Sequence, residues 1–132
     1  ELNGERIRVS TRNSLKDALI GNTSHVNDSQ NYTFENISTF RTLYKHSLTI
    51  RRSGCSALDL AYVAAGRLDA FWANGLGVWD IAAGMLIAEE AGALTSDFLG
   101  NPDYKKSDHY LCATPKCFKQ MLEAIKPNFK AN

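Results

Sequence analysis

The 132-residue sequence has no large excess of either charge and no long apolar run. Its 15 lysines and arginines nearly balance 14 aspartates and glutamates, which leaves a formal net charge of +1. That balance gives no indication of a nucleic-acid groove or a polybasic membrane patch. No apolar segment reaches the roughly 18 residues that a membrane-spanning helix needs. We therefore expect neither direct nucleic-acid binding nor membrane association.

The sequence also has few cysteines, and they do not form a recognisable set. Cys55, Cys112 and Cys117 are odd in number and include no CxxC pair, so neither a disulfide scaffold nor a zinc site is indicated. The three histidines lie far apart and show no metal-ligand spacing. Nothing at the start of the chain resembles a signal peptide. Together these absences favour a reducing compartment, and we expect a cytoplasmic protein.

The composition is that of a globular protein, with 44% hydrophobic and 22% charged residues. A chain of this length is expected to form one domain that buries about two-thirds of its unfolded surface. The chain opens at Asn3-Gly4, a strong signal for a hairpin turn, with almost no strand before it. It has no initiator methionine either, so we expect a fragment of a longer protein.

Apolar periodicity and turn residues predict strands that alternate with helices along the chain. Strands are predicted at 17–21, 48–50, 68–72, 94–95 and 110–113. Helices are predicted at 30–46, 56–65, 80–91 and 116–125, with a polar loop at 22–31. Alternation of this kind predicts an α/β fold, in which helices flank a layered and largely parallel sheet.

Spacings of three and four residues also predict which face of two helices is buried. The stripe predicted for the first helix consists of Phe34, Ile37, Phe40 and Tyr44. The stripe predicted for the second consists of Leu58, Ala61, Tyr62 and Ala65. Ser56 followed three residues later by Asp59 resembles a capping arrangement at the start of the second helix, and Gly66 suits its end.

The most informative segment is 79–84, with the sequence WDIAAG, which follows a strand that ends in a glycine loop. Asp80 stands at the head of the predicted third helix, where the helix dipole favours anions and a carboxylate can ligate Mg²⁺. An ordinary N-cap is the alternative, since Asp stabilises a helix start by about 1 kcal/mol. Gly75, Gly77 and Gly84 clear space around Asp80 and favour a ligand site.

Other candidate residues are less specific. Arg51 and Arg52 follow a strand and could clamp a phosphate or sugar hydroxyls, or serve as surface or interface charges. Their side chains diverge on an extended backbone, so at most one faces a site. Cys55 has no acid or histidine placed to activate it. Glu89 and Glu90 lie about 13–15 Å along the helix from Asp80 and cannot share its metal.

Segments 51–70 and 79–92 together resemble the inositol monophosphatase family of Mg²⁺-dependent, lithium-sensitive phosphatases, and most closely its bacterial extragenic-suppressor branch. The turn near Asn3 resembles the mid-chain hairpin of that family, so the likeness covers all but about residues 22–47. It implies a hydrolase whose metal-activated water attacks a phosphomonoester, here inositol monophosphate or a related sugar phosphate. The whole chain, 1–132, would be the C-terminal half of that sugar-phosphatase fold, from an enzyme that is a homodimer at full length.

The resemblance also implies roles for individual residues. Asp80 matches a metal ligand that also contacts substrate, and Arg51 matches a substrate contact of the bacterial branch. Cys55 and Ser56 match the loop and helix start that border the inositol ring, and Arg52 lies where relatives build subunit contacts. Mg²⁺ is accordingly the expected cofactor.

Two departures limit what the resemblance implies. Ala73 occupies a substrate-binding position where family inositol phosphatases usually carry a glutamate that binds ring hydroxyls. Fructose bisphosphate, histidinol phosphate and phosphoadenosine phosphate therefore stay open as substrates. The other metal-binding motifs of the family belong to an N-terminal domain that this sequence lacks, so we expect the fragment alone to be inactive. A protein-interaction role linked to the transcription machinery is the alternative of another class.

Overall fold

The computed structural model describes residues 1–24 and 33–129, which form one α/β layer structure. Its five strands are β1 (Leu19–Ser24), β2 (Thr49–Arg51), β3 (Ala70–Asn74), β4 (Leu94–Ser96) and β5 (His109–Ala113). Its four α-helices are α1 (Thr33–His46), α2 (Ser56–Ala64), α3 (Val78–Glu90) and α4 (Pro115–Ile125). No helix in these described ranges is long and apolar enough to cross a membrane.

The five strands form one sheet in the order β2-β1-β3-β5-β4. β1 pairs in parallel with β2 and with β3, whereas β5 is antiparallel to both β3 and β4. Four strands therefore run in the same direction and β5 runs against them. The predicted α/β class with a largely parallel sheet is confirmed, and the single reversed strand makes the sheet mixed.

Helices cover both faces of the sheet. Each strand contributes side chains to both faces, because successive strand residues point to opposite sides. Phe71 faces α2 and α3, where it packs in a cluster with Leu60 and Met85. The next residue, Trp72, faces α1 and α4 and packs in a second cluster that contains Leu43. The two buried clusters make a helix–sheet–helix sandwich, in which α2 and α3 form one layer.

Gly84 lets α2 and α3 approach each other closely. A Cβ at this position would lie 2.6 Å from Cβ of Leu60 and 2.8 Å from its Cδ1, which is too short for any real contact. Glycine is needed here because it leaves room for the other helix, and not because of its backbone conformation. This close approach brings the first turns of α2 and α3 side by side.

The chain start confirms the predicted turn. Leu2 and Glu5 form an isolated antiparallel bridge, with N–H to C=O distances of 2.8 and 3.0 Å between them. Asn3 and Gly4 have φ values of 52° and 81°, as a two-residue hairpin turn with two left-handed positions requires.

The first strand differs from its predicted bounds. It begins at Leu19 rather than at residue 17, and it continues through Asn22 and Thr23 to Ser24. The prediction of a loop from residue 22 is therefore wrong for 22–24, because pairing with β3 outweighs the low strand preference of these polar residues. The rest of the predicted loop, 25–31, and the predicted helix start lie outside the described residues.

The predicted buried stripe of α1 is wrong at three of its four residues, since only Phe40 packs against the second cluster. Phe34, Ile37 and Tyr44 are 79%, 63% and 62% exposed, whereas Thr39 and Leu43 are fully buried against the sheet. The periodicity identified the helix correctly. Its phase was ambiguous, because apolar residues occur on two faces and the pattern alone does not tell which one meets the sheet.

The predicted stripe of α2 is shifted in the same way. Leu58 is 42% exposed, and the buried residues are Asp59, Leu60, Val63 and Ala64. A helix whose residues are almost all apolar offers no polar face from which the buried side could be identified. The predicted terminator is confirmed, since Gly66 follows the helix with φ of 74°.

Candidate functional site

A cavity of about 300 Å³ opens where the carboxyl ends of β1 and β3 meet the first turns of α2 and α3. Clefts at the carboxyl ends of parallel strands are the usual ligand sites of α/β sheets. The residues that line this cavity are Thr23, Gly54, Cys55, Ser56, Ala57, Leu76, Trp79 and Asp80. The structure thus brings together Cys55, Ser56 and Asp80, three of the five residues that the sequence singled out for ligand binding.

Asp80 lies in the first turn of α3, but it is not the first residue of that helix. The helix begins at Val78 and has Gly77 as its N-cap, so the prediction of Asp80 at the head of the helix is wrong by two residues. Oδ2 of Asp80 accepts a hydrogen bond from the Gly77 N–H at 3.2 Å, which is one half of a capping box. The exposed carboxylate therefore satisfies a backbone donor at the helix start and still faces the cavity.

Ser56 connects the two helix starts. Its Oγ donates to the backbone carbonyl of Asp80 at 3.1 Å. The predicted capping pair of Ser56 and Asp59 is wrong, because the N-cap of α2 is Cys55 and the Asp59 carboxylate bonds to Ser53 instead. The hydroxyl that was expected to cap its own helix holds the first turn of α3 in place.

A buried carboxyl supports the loop that borders the cavity. Oδ1 of Asp59 accepts the Ser53 hydroxyl at 2.8 Å, and the same hydroxyl accepts the Cys55 N–H at 3.1 Å. Gly54, between them, has φ of 81°, a left-handed conformation that other residues rarely adopt. Asp59 is only 1% exposed, and burial raises its pKa although the Ser53 hydrogen bond opposes that shift. Its second oxygen, Oδ2, has no hydrogen-bond partner within residues 1–24 and 33–129.

The two arginines have different surroundings. Arg51 is the last residue of β2 and is exposed, and it does not line the cavity. Arg52 donates through Nη2 to the backbone carbonyl of Ser24 at 3.0 Å, and with Trp72 it lines a separate groove beside α1. Neither guanidinium therefore belongs to the wall of the cavity as the chain stands.

Ala73 and Thr23 are register partners at the ends of β3 and β1. Ala73 is fully buried and does not line the cavity, whereas Thr23 does. Thr23 is 8% exposed, and its buried Oγ1 has no hydrogen-bond partner among the residues that the structure describes. Sequence analysis missed this residue, because it fell in the predicted loop. If the strand had been predicted through residue 24, period-two alternation would have placed Thr23 on the same face as Gly21, the register partner of Phe71.

The donor set in the cavity fits one part of a magnesium site. Mg²⁺ prefers oxygen ligands, and proteins often hold it with one or two carboxylates together with phosphate and water. Asp80 supplies one such carboxylate. Within the described ranges no three His, Cys, Asp or Glu side chains are grouped so as to hold a metal ion. Glu89, on the same helix, accepts the Tyr104 hydroxyl at 3.1 Å and is engaged elsewhere.

Comparison with known proteins gives one consistent result. A model of the inositol monophosphatase family matches residues 1–128. The chain is 48% identical over 128 residues to the Nus factor SuhB of Pseudomonas aeruginosa, covering 96% of the chain and 47% of that protein. It is 37% identical over 131 residues to the inositol-1-monophosphatase of Mesorhizobium japonicum, covering 98% of the chain and 48% of that protein.

A solved structure agrees. The crystal structure of extragenic suppressor protein suhB from Bartonella henselae matches with a TM-score of 0.88 and 34% identity, over 96% of this chain and 48% of that one. The chain therefore spans about half the length of the relatives that it matches.

Proposed function

This chain belongs to the inositol monophosphatase family, and on that premise we propose that it is the C-terminal half, 1–132, of a Mg²⁺-dependent phosphomonoesterase. The substrate class is inositol monophosphate or a related sugar phosphate. The observation that supports this proposal is the cavity at the carboxyl ends of β1 and β3, into which Asp80 presents its carboxylate. A carboxylate at that place suits the hydrolysis of a phosphate ester that is held together with a hard cation.

Each residue of the cavity has a proposed task. Asp80 provides one oxygen ligand to Mg²⁺ and orients the leaving-group side of the substrate. When bound, Mg²⁺ supplies charge neutralisation and lowers the pKa of water for attack on phosphorus. Cys55 and Ser56 form the rim against which the ring of the substrate rests, and the Ser56 hydroxyl fixes the backbone of Asp80. Arg51 reaches the substrate from the end of β2.

The missing carboxylates are proposed to come from an N-terminal half of the same protein. The outer face of the α2–α3 layer carries exposed apolar side chains, which suits an interface between two halves of a protein. These side chains are Leu58, Trp79, Leu86 and Ile87. Docking of the other half against this face would bring its metal ligands to the mouth of the cavity beside Asp80.

Further parts of the proposal concern the whole protein. We propose that it is cytoplasmic, in keeping with three free cysteines, and that it is a lithium-sensitive homodimer at full length. Arg52 and the adjoining side of α1 would belong to the subunit contact. No direct nucleic-acid partner is proposed, because the net charge is only +1.

Because position 73 is an alanine, the proposal does not choose one substrate within this class. A methyl group cannot accept a hydrogen bond from a ring hydroxyl, so the selectivity of the enzyme cannot depend on a hydrogen bond from this side chain. Fructose bisphosphate, histidinol phosphate and phosphoadenosine phosphate are therefore the alternative substrates. Phosphate release from these compounds and from inositol monophosphate, measured side by side with the full-length protein, ranks them.

The test of the proposed function is Asp80→Asn in the full-length protein, with Glu90→Gln as the matched control on the same helix. Loss of one carboxylate ligand is expected to lower Mg²⁺-dependent phosphate release about 100-fold or more, since several kcal/mol of charge stabilisation depend on the metal. The control is expected to stay within twofold. Full activity of the Asp80→Asn protein would overturn the proposed role.

A second candidate function has its own support, because several relatives carry the name Nus factor. The protein could act as a protein-interaction module linked to the transcription machinery rather than through catalysis. The same Asp80→Asn protein separates the two functions. If it restores growth or transcription phenotypes in cells that lack the gene while releasing no phosphate, the interaction function is the one that matters there.

A further inference from the structure

Thr23 carries an unexplained polar group at the proposed site. Thr23 is 8% exposed, its Oγ1 is shielded from solvent, and no atom of the described residues forms a hydrogen bond with that oxygen. Buried hydroxyls in folded proteins are almost always paired, since an unpaired one loses its bonds to water and gains nothing in return. The hydroxyl belongs to a residue that lines the cavity, so rotation of the Thr23 side chain about χ1 would turn it to the cavity wall, where a ligand group would pair with it.

The position of Thr23 places its side chain beside a ligand in the cavity. It is the residue before the last of β1, at the carboxyl end of the strand, and it lines the cavity that also contains Ser56 and Asp80. Its register partner on β3 is Ala73, whose methyl group offers no hydrogen bond. Thr23 is thus the polar side chain that the sheet itself contributes to this cavity.

We propose that Thr23 determines substrate specificity, with its hydroxyl bound to a neutral hydroxyl group on the polyol part of the substrate. The inference rests on the proposed function, since it concerns the same cavity. The recognised group is an alcohol on the ring or chain, and the residue that recognises it lies at the carboxyl end of β1.

The chemistry of the wall favours an alcohol over a phosphate at this point. The lining residues that the structure describes carry one negative charge, on Asp80, and include no lysine or arginine. A doubly charged phosphate next to Thr23 would find no cation on this wall, whereas an alcohol both donates and accepts as a threonine hydroxyl does. The phosphate end of the substrate consequently lies toward Asp80 and its metal, and the polyol end lies toward the sheet.

The experiment compares Thr23→Val with Thr23→Ser in the full-length protein, on myo-inositol 1-phosphate and on phenyl phosphate. Valine keeps the shape of the side chain and removes the hydroxyl, and serine keeps the hydroxyl. We expect Thr23→Val to lower kcat/KM about tenfold for the inositol phosphate and less than twofold for phenyl phosphate, which has no alcohol group. Thr23→Ser is expected to stay near the wild type on both.

Thermal unfolding separates recognition from a structural role. Because Oγ1 has no partner in the described part of the chain, Thr23→Val is expected to keep the wild-type Tm or to raise it. A lower Tm, an equal loss of kcat/KM on both substrates, or no loss on either would overturn the inference.

The inference can also be separated from the proposed function. If the wild-type protein releases no phosphate from any probe, the proposed function fails, and calorimetric binding of myo-inositol 1-phosphate then decides the inference. Binding that weakens about tenfold in Thr23→Val supports it. Equal binding by both proteins, or no binding by either, overturns it.

Discussion

Asp59 in α2 and Asp80 in α3 are identical side chains in different environments, and the environment determines what each can do. Asp80 is exposed to the cavity and bonds weakly to one backbone N–H, so its carboxylate is available to a cation. Asp59 is buried, bonds the Ser53 hydroxyl, and supports the loop at the rim of the cavity. We therefore assign ligand binding to the exposed residue and loop support to the buried one.

The raised pKa of Asp59 predicts a dependence of stability on pH. Because burial raises the pKa in the folded chain, the folded state holds this proton more tightly than the unfolded state, and stability falls as pH rises above 3.8, the ordinary pKa of an aspartate. Asp59→Asn removes this titration. We expect the free energy of unfolding of the variant, measured with urea, to increase relative to that of the wild type as the pH rises from 4 to 7.

Asp17→Asn, at an exposed position, is the matched control for the same chemical change. Its difference from the wild type is expected to vary less with pH than that of Asp59→Asn. A difference between wild type and Asp59→Asn that stays flat over this pH range would show that burial does not hold the proton.

At the residue scale, the sequence was sufficient for part of the site. Chemistry and resemblance pointed to Cys55, Ser56 and Asp80, and these three do line one cavity. The sequence missed Thr23, because a polar run with Asn22 and Ser24 reads as a loop until strand pairing is known. Hydrogen-bond partners were not predictable either, since they depend on the angle between two helices that no local pattern contains.

At the scale of elements, the packing of α2 against α3 depends on one small residue. Gly84→Ala would gain about 1 kcal/mol of helix preference. The added Cβ would lie 2.6 Å from Cβ of Leu60, so the helices would have to separate. We expect a net loss of about 1–3 kcal/mol in the free energy of unfolding, measured by urea denaturation.

Ala83→Gly, at the neighbouring exposed position of α3, calibrates this experiment. There the loss of helix preference acts alone and should cost about 1 kcal/mol. If Gly84→Ala were to stabilise the chain by a similar amount, the close approach of the two helices would be contradicted.

The helices also show what a periodic pattern determines and what it does not. The pattern located α1, α2 and α3 to within a few residues where the structure describes them. It gave the wrong buried face for α1 and α2, because each helix carries apolar residues on more than one side. A buried face follows from contacts with the sheet, and in α1 it includes Thr39, a polar residue that no apolar pattern selects.

At the scale of the whole molecule, alternation of strands and helices was enough to predict the α/β class. It could not predict that β5 runs against its neighbours, since strand direction depends on how the chain crosses from β4 to β5. The site is incomplete at this scale too. The described residues place a single carboxylate at the cavity, and the chain covers 47% of a relative such as the Nus factor SuhB of Pseudomonas aeruginosa.

The most direct test of the central claim is Mg²⁺-dependent phosphate release from inositol monophosphate by the 132-residue chain and by the full-length protein, measured in parallel. The account predicts turnover by the full-length protein and none above background by the chain, because water activation needs several carboxylates around the metal and the chain contributes Asp80. Robust turnover by the 132-residue chain would contradict the claim that it is half of an enzyme.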